Sequence, residues 1–189
     1  MYRTLAVTRM LTTLQRAKSY LSIPLDDTSQ DFTLFTALGA ASEWIERECN
    51  RSFEYKTYRQ TLDGPGTKFL RLRNFPIHSV SLLHVDGVDK LGESFNIESE
   101  NGMLFRRSGW PCGARLIEVE YLAGYILPSD AEDAPAPTLP QKYEWACVLL
   151  AQTLMREQGV TSERVGDISV TYKDEGRSLP GAVKALIQL

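Results

Sequence analysis

The stretch LRLRNFPIHSVSLLHVDGV, Leu70 to Val88, decides the class of fold, because it has the pattern of two β-strands in a chain that begins and ends with helical patterns. On both sides of Pro76, apolar and polar residues alternate with a period of two, which is typical of strands with one buried face. Pro76 has no backbone N–H to donate and marks the corner between the strands. Both histidines of the chain, His78 and His84, fall here. The stretch is therefore an active site, a metal site or only a bend in a sheet.

The period-two pattern continues outward from this stretch. It begins after Phe53, where YKTYRQTL and KFLRLRN flank the turn sequence DGPG, Asp63 to Gly66, and these two strands are predicted to pair as a hairpin. Asp86-Gly87 and Glu100-Asn101-Gly102 mark two further turns, and ARLIEVEYLAGY predicts the last strand. We expect four to six antiparallel strands.

Helical patterns precede this β region. Apolar residues recur with helical spacing from Thr8 to Leu21, and Pro24 ends that helix. A second helix follows LDDTSQD, in which Thr28 and Asp31 form a loose capping box. Helical spacing places Phe35, Leu38, Ala41 or Ser42, and Ile45 on its predicted apolar face, and the helix is predicted to end near Asn50.

After the β region the chain becomes helical again. The segment LPSDAEDAPAPTLP is rich in proline and acidic residues, so it is predicted to be a loop. Pro140 then opens a third helix that Gly159 ends, and the tail contains a strand-like run from Ile168 to Tyr172 and a short apolar helix after Pro180. The predicted fold class is α+β, a bundle of three to four helices with an inserted antiparallel β subdomain. The predicted boundaries are 1–53 and 138–189 for the helical core, 54–127 for the insertion and 128–140 for the loop.

Composition limits the classes of function. The chain has 189 residues, a formal net charge of -3 and a sequence pI near 5.5, so it lacks the basic surplus that gripping nucleic acid requires. Its three cysteines, Cys49, Cys112 and Cys147, are widely spaced and are predicted to be free thiols. No signal peptide and no membrane span is recognised, so we expect synthesis in a cytoplasm and no membrane partner.

The candidate chemical sites are weak. His78 and His84 are separated by about 20 Å of extended chain, so they do not bind one metal without a bend, and a place on the sheet surface is favoured. Cys112 lies in the Gly/Pro sequence SGWPCG without a nearby histidine to activate it, and a loop residue is favoured. The acidic run Asp130 to Asp133 lacks the ligand spacing of a calcium loop. The chain is therefore predicted to be no enzyme, with no catalytic residues, no metal and no cofactor.

Cations recur on the predicted strands, at Arg71, Arg73, Arg106 and Arg107. One interpretation is an exposed sheet face or an edge protected by charge. The other is a subunit interface.

The order of these elements resembles the head-tail connector (adaptor, or head-completion) proteins of tailed bacteriophages, and the likeness covers nearly the whole chain. The segments that carry it are KSYLSIP, DDTSQDFTLFTALGAASEWIERECNRSF, YRQTLDGPGTKFLRLRNFPIHSVSLLHVDGV, VEYLAGY, LPQKYEWACVLLAQTLMRE and GVTSERVGDISVTY. The resemblance implies a non-enzymatic ring in the virion neck, under the portal at the capsid vertex. Its implied partners are other copies of the chain, the portal protein and a downstream neck, stopper or tail-completion protein, while DNA passes through without specific binding.

The resemblance also implies which residues contact the portal protein. Its tail segment implies portal docking by Gly166, Asp167, Ile168, Val170, Tyr172, Leu179, Val183, Leu186 and Ile187. A closed ring needs two different faces, and we expect the four arginines on one and Asp130, Glu132 and Asp133 on the other. An interaction module unrelated to phage is the alternative, and a metal-dependent hydrolase using His78 or His84 is a third.

Overall fold

The structure, a computed structural model, describes residues 10–155, 162–165, 168–171 and 179–188. The chain divides into two compact units. Unit 1 comprises Met1–Cys49, Pro128–Ala134 and Leu139–Leu189, and unit 2 comprises Asn50–Leu127 and Pro135–Thr138. Helices and antiparallel sheets occur together in the described residues, which confirms the predicted α+β class.

The elements follow one another in a simple order. They are α1 (Leu14–Leu21), α2 (Asp31–Glu48), β1 (Lys56–Pro65), β2 (Phe69–Arg71), β3 (Ile77–Val85), β4 (Val88–Asp89), β5 (Asn96–Glu98), β6 (Met103–Phe105), β7 (Cys112–Ala123), α3 (Gln141–Met155), β8 (Ser162–Val165), β9 (Ile168–Thr171) and α4 (Gly181–Ile187). Within the described ranges, no helix has both the length and the apolar character needed to cross a bilayer.

Unit 1 is built around the packing of α2 on α3, and α4 also packs on α3. Small side chains line the contact on both helices, among them Ala41 and Ser42 of α2 and Ala146 and Cys147 of α3, all buried. Small residues bring two helix axes close together. Phe35, predicted on the buried face, is instead 44% exposed, and Leu34 and Ala37 are buried in its place.

The first helix is shorter than predicted. It begins at Leu14 rather than Thr8, because the Thr13 hydroxyl accepts a hydrogen bond from the Arg16 backbone N–H and caps the helix. The preceding residues run alongside the bundle, where the Leu11 backbone N–H donates to Ser42 Oγ at 3.0 Å. Thr8 and the predicted stop at Gly159 lie outside the described residues.

Two buried charges hold the helices of unit 1 in place. Glu144 of α3 is 2% exposed and accepts two hydrogen bonds from the Arg16 guanidinium, at 2.7 and 2.8 Å. Lys18 is 3% exposed, donates to the Asp27 carbonyl at 2.8 Å and pairs with Asp31 Oδ1 at 2.5 Å. The capping box predicted for Thr28 and Asp31 is therefore wrong, because Lys18 takes the Asp31 carboxylate and α2 has no side-chain cap.

Unit 2 contains two antiparallel sheets that share one core. The larger has the strand order β1-β7-β3-β4, and the smaller has the order β2-β6-β5. Leu70 and Leu104 of the smaller sheet pack in one hydrophobic cluster with Leu83, Ile117 and Val119 of the larger. The seven strands exceed the predicted four to six, since β4 has only two residues and is too short to show a period.

The predicted hairpin between the first two strands is wrong. β1 continues into the DGPG sequence and pairs with β7 as far as Pro65↔Cys112, while β2 pairs with β6 in the other sheet. The register shifts between Leu62 and Gly64, and the Asp63 carboxylate accepts from the Arg115 backbone N–H at 2.7 Å. Gly64 is needed here because a Cβ would lie 2.1 Å from the Pro111 carbonyl oxygen. The turn sequence therefore makes a bulge in a long strand.

The other predicted turns are confirmed. Asp86 and Gly87 both have positive φ, 53° and 73°, and join β3 to β4 as a tight hairpin. Gly102, at φ 65°, closes the turn between β5 and β6. Pro76 lies between β2 and β3 after a cis Phe75–Pro76 bond, at the predicted corner.

Replacing Arg16 with methionine is expected to lower the free energy of unfolding by about 3 kcal/mol, because the Glu144 carboxylate would remain buried without its charged partner. Urea unfolding measures this change, and adding Glu144→Leu should recover most of it. The matched control is Arg59→Met, which breaks an ion pair whose arginine is 61% exposed and should change stability by less than about 1 kcal/mol. Equal losses in the two single variants would contradict the expectation.

Replacing Gly124 with alanine is expected to destabilise unit 2 by about 3 kcal/mol, since positive φ and a steric clash act together. The φ is +98° and the new Cβ would lie 2.2 Å from the Glu54 carbonyl oxygen. Gly87→Ala is the control, because its φ is +73° but no atom beyond its two chain neighbours lies within 4 Å of the added Cβ; we expect a loss of about 1 kcal/mol there. Thermal unfolding distinguishes the two, and similar losses would show that the clash is relieved.

Candidate functional site

The two histidines lie on β3 but form no site. A ring N–H of His78, Nε2, donates to the Gly124 carbonyl at 2.9 Å, and the ring meets Tyr55 edge-on. His84 Nδ1 lies 3.8 Å from Glu118 Oε2. Among the described residues, no group of three or more His, Cys, Asp or Glu side chains lies close enough to hold a metal ion. Both histidines therefore contact neighbouring residues of unit 2 and lie in no metal or catalytic cluster of the described residues.

The cysteines are free thiols in three different environments. Cys112 is exposed and begins β7 opposite Pro65, so the predicted loop position is corrected to a strand end. Cys147 is buried on α3, 3.3 Å from Ser42 Oγ, and burial raises the pKa of its thiol to about 12. A thiol with such a pKa stays protonated near neutral pH and is a poor nucleophile.

The four arginines lie in unit 2 but do not form one compact patch. Arg71 ends β2 opposite Met103, whereas Arg106 follows Phe105, which lies opposite Phe69 at the other end of the two-strand ladder. Arg71, Arg73 and Arg107 are exposed. The Arg106 guanidinium is held over the Trp110 ring, 5.6 Å from its centroid, and pairs with Glu93. The register of β2 and β6 therefore separates two of the predicted interface residues.

The predicted acidic residues lie in an exposed segment. Asp130, Glu132 and Asp133 all face solvent between β7 and α3, and the chain there forms neither helix nor strand. The Ala134 backbone N–H donates to the Ala131 carbonyl at 3.1 Å. This segment is free of the sheet and helix hydrogen bonds that fix the elements on either side.

The predicted docking residues of the tail fall into four groups. Ile168 and Val170 lie in β9, which pairs with β8 as a hairpin, and Gly166, Asp167 and Tyr172 lie outside the described residues. Leu179, Val183 and Ile187 are between 1% and 6% exposed, within unit 1. Leu186 is half-buried on α4. The apolar side of α4 is therefore already covered by its own chain, against α3.

Exposed aromatic residues were missed at the sequence level. Phe32 and Phe35 on α2 are 84% and 44% exposed, and Phe69 on β2 is 44% exposed. The Phe69 ring lies against Phe105, with centroids 5.2 Å apart. Only the pairing of β2 with β6 brings these two rings together, and pairing between strands far apart in sequence leaves no periodic signal in either one.

The chain matches a known protein family over most of its length. The sequence profile of a family described as "Head completion protein" matches residues 10–189. The chain belongs to the head completion protein family. The match confirms the resemblance seen in the sequence, and with it the structural role of this head completion protein in joining head and tail.

Solved structures share the fold of this head completion protein at low identity. A chain from "Neck of native GTA particle computed with C12 symmetry" has a TM-score of 0.55 and 16% identity, covering 99% of this chain and 91% of that one. A chain from "Neck of empty GTA particle computed with C6 symmetry" has a TM-score of 0.53 and 18% identity, covering 92% and 86%. No curated protein matches this sequence.

Cys147 of the head completion protein should resist thiol reagents in the native state, because its pKa of about 12 and its burial both suppress the thiolate. The measurement uses Ellman's reagent at pH 8 on two chains with one cysteine each. In the first, Cys49→Ser and Cys112→Ser leave Cys147; in the second, Cys49→Ser and Cys147→Ala leave exposed Cys112. We expect rapid reaction of the second chain and reaction of the first only in denaturant. Equal native rates would show that α3 opens readily.

Proposed function

We propose that this protein is a head-tail connector of a tailed phage or prophage, which forms a closed ring at the capsid vertex and joins the portal protein to the next neck or tail-completion protein. The observation that carries this proposal is the family match, because it spans residues 10–189 and so includes both units. The proposed place of the assembled protein is the neck of the virion, after synthesis in the host cytoplasm.

A ring is supported by the assemblies in which the structural neighbours occur. Those chains belong to necks computed with C12 and C6 symmetry. Cyclic assemblies of more than two subunits use heterologous contacts, in which one face of a subunit meets a different face of the next. This chain exposes side chains of opposite charge for such a contact: Arg71, Arg73 and Arg107 in unit 2, and Asp130, Glu132 and Asp133 in the acidic segment. Opposite charges also favour one register of assembly over others.

A passive role toward DNA fits the electrostatics of the chain. A protein that binds DNA tightly neutralises several phosphates with lysine and arginine. The net charge of -3 opposes that, so we propose that DNA passes through the ring without being held. We also propose that the protein is not an enzyme. In support, Cys147 is protonated and buried, and His78 is committed to a backbone carbonyl.

The tail is proposed to dock on the portal, through residues 166–172 and 179–189. In α4, Val183 and Ile187 anchor the helix within unit 1, while Ala182 and Ala185 are exposed on its other side. We propose that this exposed side and the β8–β9 hairpin meet the portal while the buried side remains in the core. Docking of this kind requires no loss of the hydrophobic contacts already made.

Assembly state is the direct test of this function. Native mass measurements across a concentration series, with and without purified portal protein, should give a closed oligomer of 21.3 kDa subunits whose mass stops increasing with concentration. Closure is expected because heterologous contacts in a ring are all satisfied at one subunit number. A monomer, or a dimer that portal protein leaves unchanged, would instead favour a simple interaction module.

A double charge reversal tests whether the arginines lie at the proposed subunit interface. Arg71→Glu combined with Arg107→Glu should weaken assembly and reduce its salt dependence, while Arg115→Glu, the same charge change at an exposed residue of β7, should have little effect. If the double reversal left both assembly and salt dependence unchanged, the arginines would not lie at the interface.

A further inference from the structure

A cleft opens at one end of the small sheet in unit 2. Its volume is about 670 Å³, and it lies between the chain that leads into β5 and the chain that follows β6. The residues that line it include Glu93 and Asn96 on one side and Phe105, Arg106 and Arg107 on the other. Clefts of a few hundred Å³ are the size that short peptide segments and small ligands occupy.

Phe105 lines one wall of the cleft, and the Phe69 ring lies beside it, next to the cleft. Phe105 lies directly opposite Phe69 in the register of β6 and β2, on the face turned away from the core, since the neighbouring pair Leu70 and Leu104 is buried. The two rings are 5.2 Å apart and both are partly open to solvent. Adjacent exposed aromatic rings on a sheet form the kind of surface on which proline-rich segments pack.

The rim of the cleft is positively charged. Arg106 and Lys90 both pair with Glu93, and the hydrogen bond from Lys90, together with the nearby Arg106 charge, holds the pKa of Glu93 below its usual value. The single carboxylate is thus neutralised by two cations, and Arg107 adds a third, exposed cation. The cleft therefore favours a ligand in which negatively charged residues stand next to an apolar, proline-rich segment.

The chain contains a segment with this chemistry. Residues 129–138 read SDAEDAPAPT, with three acidic residues followed by Pro135 and Pro137 separated by alanine. Prolines hold φ near -65° and favour the extended polyproline II conformation, so little conformational freedom is lost on docking. The acidic residues and both prolines are exposed.

We propose that residues 130–137 of one subunit dock into this cleft of the adjacent subunit, with the acidic residues toward Arg107 and the prolines on Phe69 and Phe105. This contact rests on the proposed ring and specifies how its subunits are joined. It is heterologous, because a cleft on one copy receives a segment from the next, and repeating it leaves no cleft or segment unused in a closed ring.

Peptide binding tests the contact independently of the ring. The probe is a fluorescent peptide of residues 127–139, LPSDAEDAPAPTL, and the receptor is the full chain carrying Asp130→Lys, Glu132→Lys and Asp133→Lys, so that its own segment does not compete. Fluorescence anisotropy should show saturable binding that weakens as salt is added. A peptide with the three acids replaced by lysine should bind at least about tenfold more weakly, because attraction between the acidic residues and the cationic rim becomes repulsion.

Two receptor variants and one further peptide separate specific docking from charge attraction. Arg107→Glu and Phe105→Ser, each added to the receptor, should both weaken binding, whereas Arg115→Glu should not. A scrambled peptide of the same composition should bind more weakly than the native one, because the order of acids and prolines no longer matches the rim and the rings. Equal binding of native and scrambled peptides, or no effect of Arg107→Glu and Phe105→Ser, would overturn the proposal.

The same reagents distinguish this contact from the connector function. If the unmodified chain forms closed oligomers but the peptide does not bind, the contact is wrong and the function stands. If the peptide binds specifically while the unmodified chain stays monomeric with portal protein present, the contact stands and the ring is wrong.

Discussion

The position of β7 at the centre of the larger sheet is the constraint on which the structure of unit 2 depends. One edge of this strand pairs with β1 and the other with β3, so its backbone is satisfied along both sides. Alternate residues Ile117, Val119, Tyr121 and Ala123 are fully buried and face a core shared with the smaller sheet. Because Leu104 of β6 lies in that core, the same packing fixes the strand that carries Phe105 and the arginine-rimmed cleft.

Unit 1 depends on buried polar contacts as well as on apolar packing. Ser42 accepts from the Leu11 backbone and donates to the Leu38 carbonyl at 2.8 Å, while Glu144 and Lys18 each hold a partner from another part of the unit. Apolar contacts alone are tolerant of sliding and rotation, whereas a buried charge needs one particular partner. These contacts therefore fix how α1 and α2 lie against α3, the helix on which α4 packs.

Local signals in the sequence predicted much of the fold. The α2 and α3 helices and the Asp86-Gly87 and Gly102 turns follow from spacing and turn residues, which act over a few positions. The failed hairpin shows the limit, since β1 finds its partner in β7, about fifty residues away, and DGPG is a turn sequence used as a bulge. The sequence predicted the four arginines as one interface, but the register of β2 and β6 places Arg71 and Arg106 at opposite ends of the two strands. The Phe69–Phe105 pair and the buried Glu144 went unseen for the same reason, because their partners are distant in sequence.

We propose that this head completion protein joins head and tail as a ring of identical, head-to-tail contacts. A cryo-electron microscopy reconstruction of the protein bound to its portal tests that claim most directly. The reconstruction should show a closed ring in which every subunit inserts its acidic, proline-rich segment beside Phe105 and Arg107 of the next. A complex containing separated subunits, or subunits paired through the same face on both copies, would contradict it.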